Sequence, residues 1–348
     1  MPSELRIGLL GAAGVAPAAL IGPARRTPRV AVTAVAARDR TRAQAFARTH
    51  GIPVVHTGYD ALLADPRVDA VYVPLPNGLH AEWTLKALAA GKHVLCEKPF
   101  TANRAEAERV ADAADAALAR DGLVAMEAFH YRHHPLAERM REIATSGELG
   151  EPRRVEADLC FPLPRFGDIR YDYGLAGGAT MDAGCYAVHV ARLLGPGEPS
   201  VTSATMLTLR RDPRVDRAMS AELAFPGGAT GRVRASMWSR RLLSVRARVV
   251  GTEGEMKVTN FVMPQFHHRL TVRTLRGPGR RSVRAERVPR RPSSYACQLA
   301  AFAAAALDGA PVLTSARDAV ATMGVLDDIY RACGLPPRGG KGNQGPAR

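Results

Sequence analysis

The 348-residue chain is predicted to combine two fold classes in series: an α/β parallel sheet over residues 1–128, then an α+β domain built on an antiparallel sheet over residues 129–335. Three observations predict this and the tail that follows. Up to about Ala128, short apolar runs alternate with helical periodicity, which means right-handed crossovers and a parallel sheet covered on both faces. After Pro135 the rhythm changes to strand after strand separated by Gly-rich turns, the pattern of an antiparallel sheet. From Pro336 the sequence PPRGGKGNQGPAR is too rich in Pro and Gly to pack, so 336–348 is expected to be a disordered tail.

In the first region, 6–10, 30–36, 70–73, 93–96 and 123–126 read as strands. Helical patterns at 15–24, 41–50, 80–90 and 104–120 lie between them, with Gly51 and Gly91 where helix ends want positive φ. In the second region a helix at 136–146 precedes strands near 154–161, 201–209, 218–225, 229–237, 244–250 and 255–258. A helix at 181–194 interrupts the series and stops at Gly195-Pro196. Two last helices, 295–307 and 317–333, are expected to pack back on the first domain, the second opening at a Ser315-x-x-Asp318 capping pattern.

Hydrophobic residues make up 46% and charged ones 23%, which excludes wholesale disorder. No apolar run reaches the roughly 20 residues that a membrane helix needs. Lys+Arg 48 against Asp+Glu 33 gives +15, a balance that raises nucleic acid or an anionic surface as a partner. Only Lys86, Lys92, Lys98, Lys257 and Lys341 are lysines, leaving 43 arginines scattered among acidic residues from end to end. They are neither gathered on one helix nor interleaved with aromatics, so no nucleic-acid and no membrane partner is expected. A mild pull on anionic substrates is consistent with the charge. The five cysteines contain no C-x-x-C pair and are odd in number, which argues against a disulfide framework and for a reducing, cytoplasmic setting. Pro2–Glu4 is not a basic leader, so no signal peptide is expected.

The first strand runs into Gly11-Ala12-Ala13-Gly14-Val15-Ala16 and then a helix. A dinucleotide pyrophosphate needs a tight turn, close backbone approach and a helix N-terminus facing the anion. On the G-x-G-x-x-G/A frame Gly11 is the turn glycine, Ala13 replaces the second glycine, Gly14 restores backbone freedom and Ala16 allows close packing. The second strand ends Val35-Ala36-Ala37-Arg38-Asp39, with alanine where an NAD site would carry its ribose-binding carboxylate. Arg38, with Arg42 one turn on, suits a 2′-phosphate. NADP(H) is therefore favoured over NAD(H); Asp39 is the competing reading.

Four further segments carry chemistry: Leu75-Pro76-Asn77-Gly78-Leu79-His80, Cys96-Glu97-Lys98-Pro99, the stretch from Met126 to Arg132, and Gly177-Gly178-Ala179-Thr180-Met181-Asp182 continuing to Tyr186. Hydride transfer to a ketone builds charge on oxygen, so a donor must protonate or stabilise it. Lys98 stands at the carboxyl end of a parallel strand, where such sheets bind ligands, and can polarise a carbonyl. Asp182 and Tyr186 are four apart on a predicted helix and share a face, so Tyr186 can deliver the proton while Asp182 orients the Lys98 ammonium. His189 lies one turn further on that face and is read as structural. The His133-His134 and His267-His268 doublets lack a carboxylate or cysteine at ligand spacing, so no metal is expected.

With the glycine turn, these segments closely resemble the Gfo/Idh/MocA oxidoreductases from about Arg6 to Leu335, most of all the dihydrodiol and xylose dehydrogenase branch. The E-K-P triplet paired with a downstream D-x-x-x-[HY] is the specific part. The resemblance implies a Rossmann domain followed by a substrate domain, and Lys98, Asp182 and Tyr186 as the catalytic set. It implies cofactor contacts along Leu75, Pro76, Asn77 and His80, with Glu97 and Lys98 at the nicotinamide end. Arg132 and His134, after the last strand of the first domain, are candidates to reach substrate hydroxyls or the cofactor, and Arg170 and Tyr295 are substrate-side candidates beside Tyr186. The implied activity is NADP(H)-dependent hydride exchange with a carbinol or carbonyl of a sugar or polyol, in a homodimer or higher homo-oligomer. Gly167-Asp-Ile-Arg170 resembles family members that reduce nucleotide-linked deoxysugars, the first alternative. A dinucleotide-sensing regulator without turnover is an alternative of another class, and cofactor-assisted glycoside cleavage a further one.

Overall fold

The computed structural model describes residues 4–275 and 281–339, and the chain divides into two compact units, Met1–His133 with Ser294–Val320, and His134–Ser293 with Ala321–Arg348. In the first unit six parallel strands, β1 (Leu5–Leu10), β2 (Val30–Ala37), β3 (Val54–Thr57), β4 (Ala70–Val73), β5 (His93–Cys96) and β6 (Ala125–Glu127), lie in the order β3-β2-β1-β4-β5-β6. The helices α1 (Gly22–Ala24), α2 (Arg40–His50), α3 (Tyr59–Leu63), α4 (His80–Ala89) and α5 (Arg104–Asp121) alternate with them. The strands are almost continuously apolar because both faces are covered. On one face Ile7, Leu9 and Tyr72 pack with Leu299 and Phe302 of the late helix Ser294–Asp308. On the other, Val71, Val94 and Phe100 pack with Val110 and Ala114 of α5.

The unit differs from the sequence-based prediction at β3, at the short α3, which is not predicted either, and at the first helix. β3 is not predicted: its four residues follow Pro53 at the sheet edge and are half exposed, so they carry too little pattern. The helix predicted at 15–24 is a π-turn, Pro17–Ile21, running into α1. There the Gly22 N–H donates to the Pro17 carbonyl five residues back, and Pro23 has no N–H with which to restore α-helical spacing.

The second unit opens with α6 (Pro135–Thr145) and β7 (Pro152–Cys160), continues through α7 (Cys185–Leu194), and adds β8 (Ser200–Thr208), β9 (Asp216–Ala224), β10 (Thr230–Ser236), β11 (Ser244–Gly251), β12 (Gly254–Thr259), β13 (Arg269–Leu275) and β14 (Arg281–Glu286). The sheet order is β14-β13-β12-β11-β7-β10-β9-β8. Every neighbouring pair is antiparallel except β7 with β10, so the sheet is antiparallel in the main, as the sequence predicts. After β7 the chain crosses over through α7 before β10 returns beside it, and a crossover makes strands parallel. β13 and β14 are also unpredicted, because arginines at Arg269, Arg273 and Arg284 hide the alternation of Leu270 and Val272.

Strand alternation sorts this sheet into two faces. Val155, Ala157 and Leu159 of β7 are buried on the side where α7 packs. Arg154, Glu156 and Asp158 take the other side and build an ion-pair ladder. Asp158 accepts from Arg234 Nε at 2.8 Å and Arg246 Nε at 2.7 Å, and Glu156 from Arg154 Nε at 3.0 Å and Arg232 Nη2 at 2.8 Å. Arg232, Arg234 and Arg246 are thus paired across strands.

The chain ends with α8 (Ser294–Asp308) and α9 (Ala316–Ala332), the latter capped by Ser315 Oγ, which accepts the Asp318 N–H at 3.2 Å. The disordered tail expected from Pro336 needs correction where it is described. Arg338 is 1% exposed and its guanidinium is bound by Asp216 and Gly177, which anchors a segment that composition alone marks as loose. Residues 340–348 lie outside the described residues.

Candidate active site

The glycine turn has the form a pyrophosphate requires. Gly11 stands at φ +107°, closed to other residues, and its N–H donates to the Ala36 carbonyl at 2.7 Å. A Cβ there would sit 3.2 Å from Leu75 Cδ2 and 3.7 Å from the Tyr59 hydroxyl, so the space over the turn is bounded by those side chains. A Cβ on Gly14 would meet nothing within 4 Å, and Ala13, Gly14 and Val15 reach solvent while Ala16 is buried. At the end of β2, Asp39 caps α2 by accepting the Arg42 N–H at 3.1 Å. Arg42 Nη2 donates to the Ala12 carbonyl at 2.9 Å, which lays its guanidinium on the glycine turn, and Arg38 is exposed beside it. Burial raises the pKa of Tyr59 while Arg38 and Arg42 oppose that rise, so the phenol belongs to the same basic corner. Two guanidinium groups, with the neighbouring carboxylate already used as a cap, fit a dinucleotide carrying a 2′-phosphate.

The second cluster lies at the carboxyl ends of β4 and β5. Tyr72, fully buried in β4, donates its hydroxyl to Glu97 Oε1 at 2.6 Å. Glu97 is thereby held while the half-buried Lys98 follows it. His80, for which the resemblance implies a cofactor contact, has both ring nitrogens within hydrogen-bond reach of backbone carbonyls. It is fully buried, with Nδ1 2.7 Å from the Pro99 carbonyl and Nε2 2.7 Å from the Leu75 carbonyl. It ties the turns after β4 and β5 together, and burial pushes its pKa down to about 4 against the pull of the two carbonyls. Leu75, Pro76 and Asn77 line the turn that it holds, which continues into a short 3₁₀ segment, Asn77–Leu79.

Tyr295, at the start of α8, joins this cluster. Burial pushes its pKa up and Glu97 adds to the rise, while Lys98 opposes it, so its hydroxyl lies within electrostatic reach of both. Its ring centroid lies 4.0 Å from that of His130, whose Nδ1 is 2.9 Å from Ser294 Oγ. Arg132 is half-buried in the same short turn, His130–His133. Tyr59, Tyr72, His130 and Ser294 were not singled out from sequence. Tyr72 alone carried a signal, as the one polar tip in an otherwise apolar central strand.

In the second unit the helix predicted at 181–194 is a π-turn, Thr180–Gly184, followed by α7. Such wide turns recur at functional sites. Gly184 packs closely there: a Cβ would come 2.9 Å from Met219 Cε, the tip of a side chain that can move aside. Asp182 lies in the π-turn and Tyr186, 6% exposed, in the first turn of α7. Asp182 is engaged within its own unit, because Arg170 Nε donates to its Oδ2 at 3.1 Å. Asp168 Oδ1 accepts from the Arg170 N–H at 3.0 Å and from Nη1 at 3.2 Å. The sequence suggested Lys98 as the partner of Asp182; Arg170 is a partner it did not suggest. His189 is 4% exposed one turn beyond Tyr186.

Comparison with known proteins adds the following. Residues 5–120 match the family model "Oxidoreductase family, NAD-binding Rossmann fold", and residues 137–257 match the "GFO/IDH/MocA C-terminal domain". The chain is 40% identical to D-xylose 1-dehydrogenase (NADP(+)) 2 of Haloferax volcanii, over 94% of this chain and 97% of that protein. It is 39% identical to the dTDP-3,4-didehydro-2,6-dideoxy-α-D-glucose 3-reductase of Streptomyces violaceoruber, over 79% and 78%. Among solved structures, a 3-ketoreductase from Actinomadura kijaniata in complex with NADP and TDP-benzene superposes with a TM-score of 0.83 at 30% identity, covering 95% of this chain and 98% of that one. With both halves matched and relatives aligned over nearly their full length, this chain belongs to the Gfo/Idh/MocA family of oxidoreductases.

Proposed function

We propose that the protein is a cytoplasmic, NADP(H)-dependent oxidoreductase that exchanges hydride with the carbinol or carbonyl carbon of a sugar or related polyol. One observation carries the reading: Lys98 follows a Glu97 that Tyr72 fixes, at the carboxyl end of a strand beside the glycine turn's own sheet neighbour. Arg42 on the Ala12 carbonyl and the exposed Arg38 support NADP(H) over NAD(H). The NADP(+) in the name of the Haloferax volcanii relative points the same way.

The nicotinamide, when bound, gives or takes the hydride. The chain supplies the rest. The Lys98 ammonium polarises the reacting oxygen, and the Tyr186 hydroxyl gives it a proton on reduction and receives one on oxidation. Asp182, held by Arg170, orients this proton-transfer set, while Arg132 and Tyr295 contact substrate hydroxyls. A second reading, a nucleotide-linked deoxysugar ketoreductase, is favoured by the exposed Arg170 segment and the names of the Streptomyces and Actinomadura relatives. Homodimerisation is supported by Leu207, Leu242 and Leu243, which are 49%, 54% and 75% exposed in the second unit. Sedimentation equilibrium tests it; a monomer at micromolar concentration would refute it.

The functional test is absorbance at the reduced-nicotinamide band with NADP(H) and NAD(H), against pentoses, hexoses, inositols, diols and nucleotide-linked ketosugars. Turnover of a free sugar or polyol with NADP(H) is expected. Turnover of nucleotide-linked substrates alone selects the second reading. Tight cofactor binding with no redox on any of them would make the protein a sensor.

A further inference from the structure

Asp216, the first residue of β9, is fully buried, yet its carboxylate accepts four hydrogen bonds. Oδ2 accepts from the Thr180 N–H at 2.6 Å and the Thr180 hydroxyl at 2.7 Å. Oδ1 accepts from the Tyr330 hydroxyl at 2.9 Å and from Arg338 Nη2 at 2.8 Å. Arg338 also donates Nε to the Gly177 carbonyl at 2.9 Å, and its guanidinium lies over the Tyr330 ring at 4.1 Å. One residue near the end of the chain therefore grips both sides of the short turn Gly177–Thr180.

That turn is also gripped from the opposite side. The Gly177 N–H donates to the Asp172 carbonyl and the Gly178 N–H to the Arg170 carbonyl, each at 2.8 Å. Gly178 stands at φ +137°, and a Cβ there would overlap Asp216 Oδ1 and come 3.0 Å from the Tyr330 hydroxyl. Beyond the turn, the Asp182 N–H donates to the Gly178 carbonyl at 3.0 Å, and the Asp182 carboxylate accepts from Arg170 Nε at 3.1 Å. Both partners of the Arg170–Asp182 pair are thus hydrogen-bonded to the backbone of one glycine, Gly178, and Tyr186 follows one turn later.

We infer that Arg338 is a positioning residue: by clamping Asp216 and the Gly177 carbonyl together it sets the placement of Asp182, its Arg170 partner and the start of α7. This rests on the reading that Asp182 and Tyr186 act in proton transfer. A planar fork that donates in two directions is needed, which an ammonium on a flexible stem does not supply. A guanidinium is also the one side chain that stays charged at every working pH, so the clamp does not titrate with the site that it holds.

The test uses the full-length protein and the substrate turned over fastest in the panel above. Arg338→Ala is expected to lower kcat/KM by about 100-fold through kcat, as a misplacement near 1 Å does, with the Kd for NADP(H) unchanged. The pH profile of kcat/KM moves in this variant, and low-millimolar guanidinium restores both rate and profile without affecting the wild type. Arg338→Lys, which keeps the charge inside the fold, loses about 10-fold. Arg139→Ala, which breaks the ion pairs with Glu142 and Glu286, serves as a destabilised control and keeps wild-type rate and profile.

Wild-type turnover in Arg338→Lys and Arg338→Ala overturns the inference. So does a loss that guanidinium does not reverse and that leaves the pH profile in place. Tyr186→Phe, assayed in parallel, separates the two claims. Full activity there defeats the reading of the site itself, whereas an inactive Tyr186→Phe beside an active Arg338→Ala defeats only the clamp.

Discussion

The two sheets of this protein handle charge in opposite ways. The parallel sheet buries both faces in apolar side chains and admits ionisable groups mainly where strands end, at Arg38, Glu97 and Lys98. The mainly antiparallel sheet buries one face and lays a ladder of arginines and carboxylates across the middle of the other. Charge at a strand end is where the proposed function places cofactor and substrate. Charge in the middle of a strand faces its cross-strand neighbour and is consumed there. Several of the 48 lysines and arginines are thus consumed in cross-strand pairs, and the cations at the strand ends are the ones the proposed function uses.

The largest expected effect tests the strand ends. Lys98→Ala and Tyr186→Phe should each lower kcat by about 1,000-fold, within the range for a positioned acid or base. Steady-state kinetics beside thermal melts should show the melting temperature almost unmoved for Lys98→Ala. A comparable loss of cofactor binding in both variants would mean that the reacting centre lies elsewhere. The next effect tests the apolar faces. Leu9, fully buried under α8, should cost about 2–5 kcal/mol of stability on truncation to alanine, read by urea unfolding.

The ladder should cost less. Asp158→Asn is expected to destabilise by about 1–2 kcal/mol, because Arg246 is 48% exposed and solvent screens much of the lost attraction. Its pH dependence has a definite sign. Burial raises the pKa of the Asp158 carboxyl, but the hydrogen bonds and charges of Arg234 and Arg246 outweigh that and hold it below the ordinary value. Folding therefore favours the ionised form. The gap between wild type and Asp158→Asn should be full above pH ~4 and close as the pH falls through the depressed value. A gap that widens on acidification would contradict the pairing. Smallest of all, Arg317→Ala removes surface pairs with Asp112 and Asp115, both more than half exposed, and should change stability by less than about 0.5 kcal/mol.

How far the sequence carried this picture varies with how local the cause is. The glycine turn, the strand-end lysine and the alternating first region are set by neighbours in sequence, and they stand where the pattern puts them. Short or camouflaged strands were lost: β3 offers four half-exposed residues, and β13 and β14 dress an alternating core in arginine. Pairings across long separations were also out of reach. No spacing rule joins Arg170 to Asp182 through a folded-back loop, or a buried Arg338 within a Pro/Gly stretch to Asp216, 122 residues earlier. The two carbonyls that fix His80 belong to different strand ends, so its structural duty could not be read from the motif in which it stands.

The parallel register of β7 with β10 has a consequence for how the chain comes to be folded. β7 is made first but sits in the middle of its sheet, and its neighbour Arg232 lies 76 residues beyond Glu156. During synthesis that strand must wait with both hydrogen-bonding edges bare, the condition under which strands recruit one another between molecules. Arg154, Glu156 and Asp158 guard it in the interval: charges at every second position discourage stray partners, and their cross-strand pairs, Arg154 with Glu222, Glu156 with Arg232 and Asp158 with Arg234, form only when the rightful strands arrive.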